Sequence, residues 1–508
     1  MDPPGTSQAG RCAKLRRTLA DPATYKGRPA VSVYETHASC VFVAGARAYK
    51  IKKPVALGFL DYSTLARRRR ACEEEVRVNQ ALAPGLYLGV RAIVESAAGL
   101  RFADADAPGA VEYAVEMRRF NEQDTLAGAI AAGALEPAQI EATARLIAAF
   151  HRSAPVVRGW GPEQVRERWR VNLEDLRRTA HPEAWRLEVP ARFASAFLGA
   201  HAEQLRRRGD QGFARDGHGD LRCEHVLLRP LARIVDRIEF DPNLRRADVA
   251  CDLAFLAMDL EARGQRWAAE ELFEDYERVG LDCGEPRLRA FYACHWALVR
   301  AKVAAIAGAE EEAQRMWSLA ERLRWRARHP VLLVLCGPAA SGKSVLAHAL
   351  ARAGEMPVFA SDVARKRLAG VGVHEQASPE HYGAEFTQAT YRQLGRGAAR
   401  RLRDGESAIV DATCRSRADR ALLLAELTGA RRLFVRCSVP LELARERAAR
   451  RACDPHRVSD ATPQIVEQQF ASFEELDELP ADALVRVDGA QPVKAQIAQV
   501  ELALDRAP

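Results

Sequence analysis

The sequence predicts two folded bodies in series. Residues 1–328 read as an α+β domain, a small β-rich part followed by a helical part, and residues 329–508 as an α/β domain on a five-stranded, mostly parallel sheet. Three observations carry this reading. Short alternating apolar runs crowd the first third, and helical periodicity takes over from about residue 137. After His329-Pro330 the pattern becomes strand, loop, helix, repeated. Finally, 508 residues accommodate two to four domains at roughly 150 residues each.

In order along the chain, the β-runs are VSVYE (31–35), CVFVA (40–44), AYKIK (48–52), AIVE and VEYAVEM. One helix interrupts them, LARRRRACEEEVRVNQALA, for which Ser63 is the expected N-cap and Arg67–Arg70 a solvated face. Helical stretches follow at EPAQIEATARLIAAFH, PEQVRERWRVNLEDLRR and ARFASAFLGAHAEQLRRR. A loop-rich block occupies 213–240, with further helices to about 327. The second body places apolar runs at 331–336, 357–360, 407–411, 432–437 and 483–487, each separated by a helical stretch.

Composition narrows the function classes. Hydrophobic residues make up 48% and charged residues 28%, which excludes a mainly disordered chain. None of the eleven cysteines forms a C-x-x-C pair, which argues against zinc and against a disulfide scaffold. The first thirty residues hold no apolar signal core, and VLLVLC is too short to span a bilayer. A cytoplasmic protein without a membrane partner is therefore expected. The net charge of +7 is modest, and from 331 onward 24 basic residues face 23 acidic ones.

The strongest motif is Gly337-Pro338-Ala339-Ala340-Ser341-Gly342-Lys343-Ser344, which satisfies G-x-x-x-x-G-K-[ST] between an apolar run and a helical stretch. Glycines let backbone N–H groups curl around phosphates. Lys343 then reaches the β- and γ-phosphates of ATP, and the Ser344 hydroxyl is a ligand for Mg²⁺. The next strand runs into Asp362 and Arg365, one helical turn apart. A carboxylate there can take a proton from an attacking hydroxyl while the arginine holds an anion. The bland alternative is an N-cap Asp beside a surface Arg. Asp411 closes the third run, suited to Mg²⁺ or substrate. The segment LELARERAARR carries Arg445, Arg447, Arg450 and Arg451, either a lid that brings arginines onto the phosphoryl group or an amphipathic surface helix.

From 331 onward the chain resembles the P-loop kinases that include polynucleotide kinase, zeta toxins, gluconate kinase and chloramphenicol phosphotransferase. The resemblance implies Asp362 as general base and Arg365 as the group that positions an acceptor phosphate. The balanced charge of this half does not support a long nucleic-acid acceptor, since backbone binding needs a basic surface. Nucleotides, sugars and other small hydroxyl compounds stay open.

The first body carries a second constellation, Asp216-Gly217-His218-Gly219-Asp220-Leu221-Arg222-Cys223-Glu224-His225, with Asp236 eleven residues beyond. In kinase-type chemistry the loop Asp orients the acceptor hydroxyl, a residue five further on ligates metal, and a later Asp holds Mg²⁺. Lys50 on a β-run and Glu75 on the following helix supply an ion pair, with Lys52 and Glu74 as the competing choices. These segments resemble the aminoglycoside phosphotransferase branch of the protein-kinase-like fold, in a bacterial group where it is fused to a P-loop kinase. The resemblance implies Asp220 as base, Asp236 as Mg²⁺ ligand, and Lys50 with Glu75 on the phosphates. Two departures stand out. Thr36-His37-Ala38-Ser39 replaces a glycine-rich loop, and His225 occupies a metal position where Asn is usual, although imidazole suits hard Mg²⁺ poorly.

The expectation is a two-domain ATP-dependent phosphotransferase using Mg²⁺ and acting on a hydroxyl-bearing small molecule or nucleotide. Its rival is a regulatory ATP-binding protein whose first domain only senses a ligand. The loops 370–382 and 452–462, where an acceptor would bind, carry no readable code.

Overall fold

The computed structural model describes residues 8–36, 38–57, 60–96, 99–180, 184–427, 429, 431–452 and 458–506. His37 and the 453–457 part of the second acceptor loop lie outside the described residues. The chain divides into two compact units, residues 1–161 with 205–285, and residues 162–204 with 286–508.

In the first unit, strands β1 (Val31–Glu35), β2 (Ser39–Ala44), β3 (Arg47–Lys52), β4 (Tyr87–Ser96), β5 (Gly99–Asp104) and β6 (Ala110–Arg118) form an antiparallel sheet in the order β1-β2-β3-β6-β4-β5. Lys50 and Lys52 share one face of β3 because side chains alternate along a strand. The helix Leu65–Gln80 starts one residue later than expected. Thr64 is the N-cap and accepts from Arg67 N–H at 3.3 Å, while the Ser63 hydroxyl donates to Asp61 at 2.6 Å. Nor is Arg67–Arg70 wholly solvated. Arg68 is buried and its Nε lies 2.9 Å from both Glu112 oxygens, so burial is compensated by a paired carboxylate. Helices Pro137–Ser153, Val249–Ala262 and Arg266–Arg278 close over a core that includes Ile140, Ile147, Leu253, Leu256 and Leu272.

The second unit centres on five parallel strands, β7 (Leu332–Cys336), β8 (Val358–Ala360), β9 (Ala408–Asp411), β10 (Arg432–Ser438) and β11 (Leu484–Asp488), in the order β8-β9-β7-β10-β11. All five β7 residues are buried, as a strand covered on both faces requires. Separate apolar clusters on its two faces hold Leu333 and Leu335 on one side, Leu332 and Val334 on the other.

A boundary at 328/329 does not coincide with this division. Helices Pro162–Ala180, Ala184–Ala200, Pro286–Ile306 and Glu310–Ala327 group with the P-loop half. Buried Arg324 and Arg328 pair with Glu501 at 2.8 and 3.0 Å, and Arg328 reaches Asp505 at 2.5 Å, fastening Glu310–Ala327 to the C-terminal helix Val493–Leu504. Among the described residues, no helix is long and apolar enough to cross a membrane.

Candidate active sites

The P-loop follows directly from β7. Gly337 has φ +139° and Gly342 +97°, in the region that glycine tolerates, and a Cβ at Gly337 would collide with the Cys437 carbonyl oxygen. Lys343 opens the helix Lys343–Gly354, is 8% exposed, and donates to the Pro338 carbonyl at 2.9 Å, folding the loop on itself. Among the described residues the buried Ser341 hydroxyl has no hydrogen-bond partner, and Ala339 N–H donates to Gln469 at 2.7 Å.

A cavity of about 820 Å³ opens here, lined by Lys343, Ser344, Asp362, Asp411, Arg451 and Gln469 among others. Ligands of open α/β sheets collect in this position, beyond the carboxyl ends of β7, β8 and β9. Asp362 sits in the first turn of the helix Ser361–Ala369, whose N-cap is Ala360, so the capping alternative does not hold. Burial raises its carboxyl above the ordinary Asp range. A hydrogen bond from Ser459 opposes that shift, and the nearby Asp411 charge adds to it. Arg365 is 8% exposed and is not itself part of the cavity lining. It donates to the His381 carbonyl at 2.5 Å and to Thr387 Oγ1 at 3.3 Å, over the Tyr382 ring at 4.8 Å. In the arginine-rich helix Leu441–Ala452, Arg447 donates to the Gly489 carbonyl at 3.1 Å, whereas Arg445 pairs with Glu467 at 2.9 Å.

In the first unit the fold pairs residues up to 187 positions apart. Lys50 Nζ lies 2.9 Å from Glu75 and 2.5 Å from Asp236. Lys52 lies 2.5 Å from the other Glu75 oxygen and also pairs with Glu239, which accepts from Tyr62 at 2.7 Å. Glu74 instead pairs with Arg77 at 2.6 Å. The two lysines differ in access, at 15% exposed for Lys50 and 2% for Lys52. Asp236 lies just past the short strand Arg233–Ile234 with φ +61°. Burial opposes its ionisation, but the Lys50 ammonium, by its charge and its hydrogen bond, holds the carboxyl well below its usual range.

The loop around Asp220 is fixed from behind. His218 Nε2 lies 2.9 Å from the Val235 carbonyl, and Nδ1 accepts from Asp220 N–H at 3.2 Å, which defines a neutral Nε2–H tautomer. Burial first, then the neighbouring His225, push its pKa down to about 4. Asp252 accepts the His218 and Gly219 N–H groups at 2.5 and 3.0 Å. His225 Nδ1 lies 2.6 Å from the Asp220 carbonyl, which can only accept, leaving Nε2 3.6 Å from Asp236.

Sequence reasoning missed several residues. Arg222, which the sequence pattern assigned no role, pairs with Asp220 at 3.0 Å and with Glu224 at 2.7 Å. Tyr382, Ser459 and Asp460 lie in the two loops that carry no readable code and Gln469 on the helix Pro463–Ala471, and the fold brings all four to the cavity.

Residues 332–476 match the family model described as AAA domain. Uncharacterized protein Rv2004c of Mycobacterium tuberculosis is 30% identical over 492 residues, covering 93% of this chain and 95% of its own. Uncharacterized protein Mb2027c of Mycobacterium bovis matches to the same extent, 30% over 492 residues, with 93% and 95% covered. Among solved structures, a gluconokinase from Sinorhizobium meliloti 1021 is 21% identical with TM-score 0.25, over 35% of this chain and 93% of that one. The Mycobacterium tuberculosis APS kinase CysC, in complex with AMPPNP and APS, is 20% identical with TM-score 0.27, over 35% and 97%.

Proposed function

The chain belongs to the family of the uncharacterized mycobacterial protein Rv2004c, and we propose that this family consists of ATP-dependent phosphotransferases with a P-loop kinase site and a second, kinase-like site. The observation that carries the reading is one cavity lined by Ala339, Ala340, Gly342, Lys343 and Ser344 of the phosphate loop together with Asp362 and Asp411. In the proposed reaction an acceptor hydroxyl attacks the γ-phosphorus of ATP. Its proton passes to the Asp362 carboxylate as the bond to the β-phosphate oxygen breaks and ADP leaves. Desolvation of Asp362 raises its proton affinity, which suits a base. Lys343 and the loop N–H groups hold the phosphates, with Arg447 and Arg451 on the adjoining helix as the candidate lid cations.

The residues fit Mg²⁺. The Ser344 hydroxyl and Asp411 carboxylate are oxygen donors on one wall of the cavity, and Mg²⁺ bound there neutralises phosphate charge.

In the first unit, Lys50 and Glu75 form the phosphate pair, Asp236 is the oxygen ligand for the metal, and Asp220 is the base. The greater access of Lys50 supports its choice over Lys52. A second reading for this unit, a ligand-sensing site without turnover, is favoured by His225, whose Nδ1 is engaged by the Asp220 backbone. The acceptor is a hydroxyl-bearing small molecule or nucleotide.

The test is Lys343→Ala in the full chain, with Asp220→Asn beside it. Loss of a phosphate clamp should lower ATP turnover on pooled hydroxyl acceptors by ~10²-fold or more. Unchanged turnover in folded Lys343→Ala would overturn the P-loop assignment. Turnover remaining in that variant and removed by Asp220→Asn would identify the first unit as a working kinase.

A further inference from the structure

Lys366 is 1% exposed, and its ammonium is held by three groups from elsewhere in the chain: the Val373 carbonyl at 3.1 Å, the Val458 carbonyl at 2.8 Å and Asp460 at 3.2 Å. The other Asp460 oxygen accepts from Tyr382 Oη at 2.7 Å and from Ala377 N–H at 3.2 Å. One buried ion pair therefore ties the 371–382 loop and the 458–461 segment to the helix that carries Asp362. Those tied segments supply Gln376, Ala377, Tyr382, Val458, Ser459 and Asp460 to the cavity wall. Ser459, next to Asp460, hydrogen-bonds Asp362. None of these residues belongs to the phosphate loop.

We propose that Lys366 and Asp460 are positioning residues that latch these two segments together as the acceptor subsite, holding Ser459 on Asp362 and keeping bulk water off the base. The inference rests on the P-loop reading for its chemistry, whereas the latch itself is a property of the chain. A wall of hydroxyl, amide and carboxylate groups beside the base fits a small polyhydroxy compound. Its hydroxyls would exchange hydrogen bonds with Gln376, Tyr382 and Ser459. A closed wall also discriminates against water as the acceptor, because water reaching an activated γ-phosphoryl group hydrolyses it.

The experiment compares wild type with Lys366→Met, Asp460→Ala and the milder Tyr382→Phe, all in the full chain. It reads MgATP affinity by calorimetry, hydrogen exchange of peptides covering 371–382, and ATP hydrolysis with no acceptor added. Breaking the latch should speed exchange in 371–382 by ~10-fold or more and raise acceptor-free hydrolysis several-fold, with MgATP affinity within about twofold of wild type. Tyr382→Phe, which removes one of the Asp460 contacts, should give a smaller rise in both. A variant that merely unfolds would lose hydrolysis and MgATP affinity together. Unchanged exchange in Asp460→Ala and Lys366→Met overturns the latch, as does hydrolysis that falls in step with the folded fraction. No MgATP binding by wild type would instead sink the P-loop reading, and the exchange data would still decide the latch.

Discussion

Lys50→Met and Lys52→Met should fail in opposite ways, and the difference identifies which lysine serves the phosphates. The network holds two ammonium groups against Glu75, Asp236 and Glu239. Removing Lys52 takes from Glu239, itself buried, its ion-pair partner, and strips one oxygen of a fully buried Glu75. Breaking a buried pair costs about 3–5 kcal/mol, which for a unit of this size lowers its melting temperature by about 10 °C. Lys50 is different, because its partner Asp236 is 42% exposed and water can replace the lost charge, while Glu75 keeps Lys52. That substitution should cost about 1–2 kcal/mol yet abolish nucleotide binding by the first unit. Scanning calorimetry of the full chain gives the first quantity. Titration of MgATP into Lys343→Ala chains, where the P-loop site is silenced, gives the second. A Lys52→Met protein as stable as wild type but blind to MgATP, beside a Lys50→Met protein that binds normally, would refute both the assignment and the electrostatic reasoning.

Asp362→Asn should lower P-loop turnover by ~10²-fold or more while MgATP affinity stays constant, since the amide cannot take a proton and the residue caps nothing; single-turnover kinetics beside titration calorimetry checks this. His225→Asn should leave MgATP affinity of the first unit within about twofold and cost a little stability, because the imidazole's Nδ1 is committed to the Asp220 carbonyl; a clear gain in affinity would show that the metal reaches this position. Acid should destabilise the first unit through His218, whose pKa in the folded state is about 4. The unfolded chain binds the proton first, so stability should be full above about pH 6.5 and fall by up to about 3 kcal/mol as pH drops to 4. His218→Gln should flatten that slope in pH-dependent melts.

What the sequence disclosed and what it hid follow from the range of the interactions. All five β-runs of the second unit are strands. Strands β7, β9 and β10 were legible because a strand buried on both faces is written as a continuous apolar word. The edge strands β8 and β11 are only partly buried and were legible from their place in the strand, loop, helix alternation. The phosphate loop was legible because its glycines answer a local backbone demand. The grouping of helices was not. Arg324 and Arg328 meet Glu501 and Asp505 across more than 170 positions, a range that no local pattern discloses. The expected Ser63 cap misses by one residue because the Ser63 hydroxyl finds Asp61 instead and Thr64 caps the helix.

The same distinction explains the two sites. Lys50 against Lys52 could not be settled from a strand on which both face one side, because the answer lies in exposure, set by where Glu239 and Tyr62 arrive. Arg365 could be placed at the carboxyl end of a strand, but not its direction, since His381, Tyr382 and Thr387 claim it. Its Nη1 is engaged by the His381 carbonyl and the Thr387 hydroxyl. If Arg365 nevertheless binds an acceptor anion, Arg365→Gln should raise KM for a phosphorylated acceptor by ~10-fold or more and leave the matching unphosphorylated acceptor unaffected. The contacts in the structure predict the other outcome, an equal effect on both acceptors with faster hydrogen exchange near 381–387, since the guanidinium holds that segment rather than a ligand.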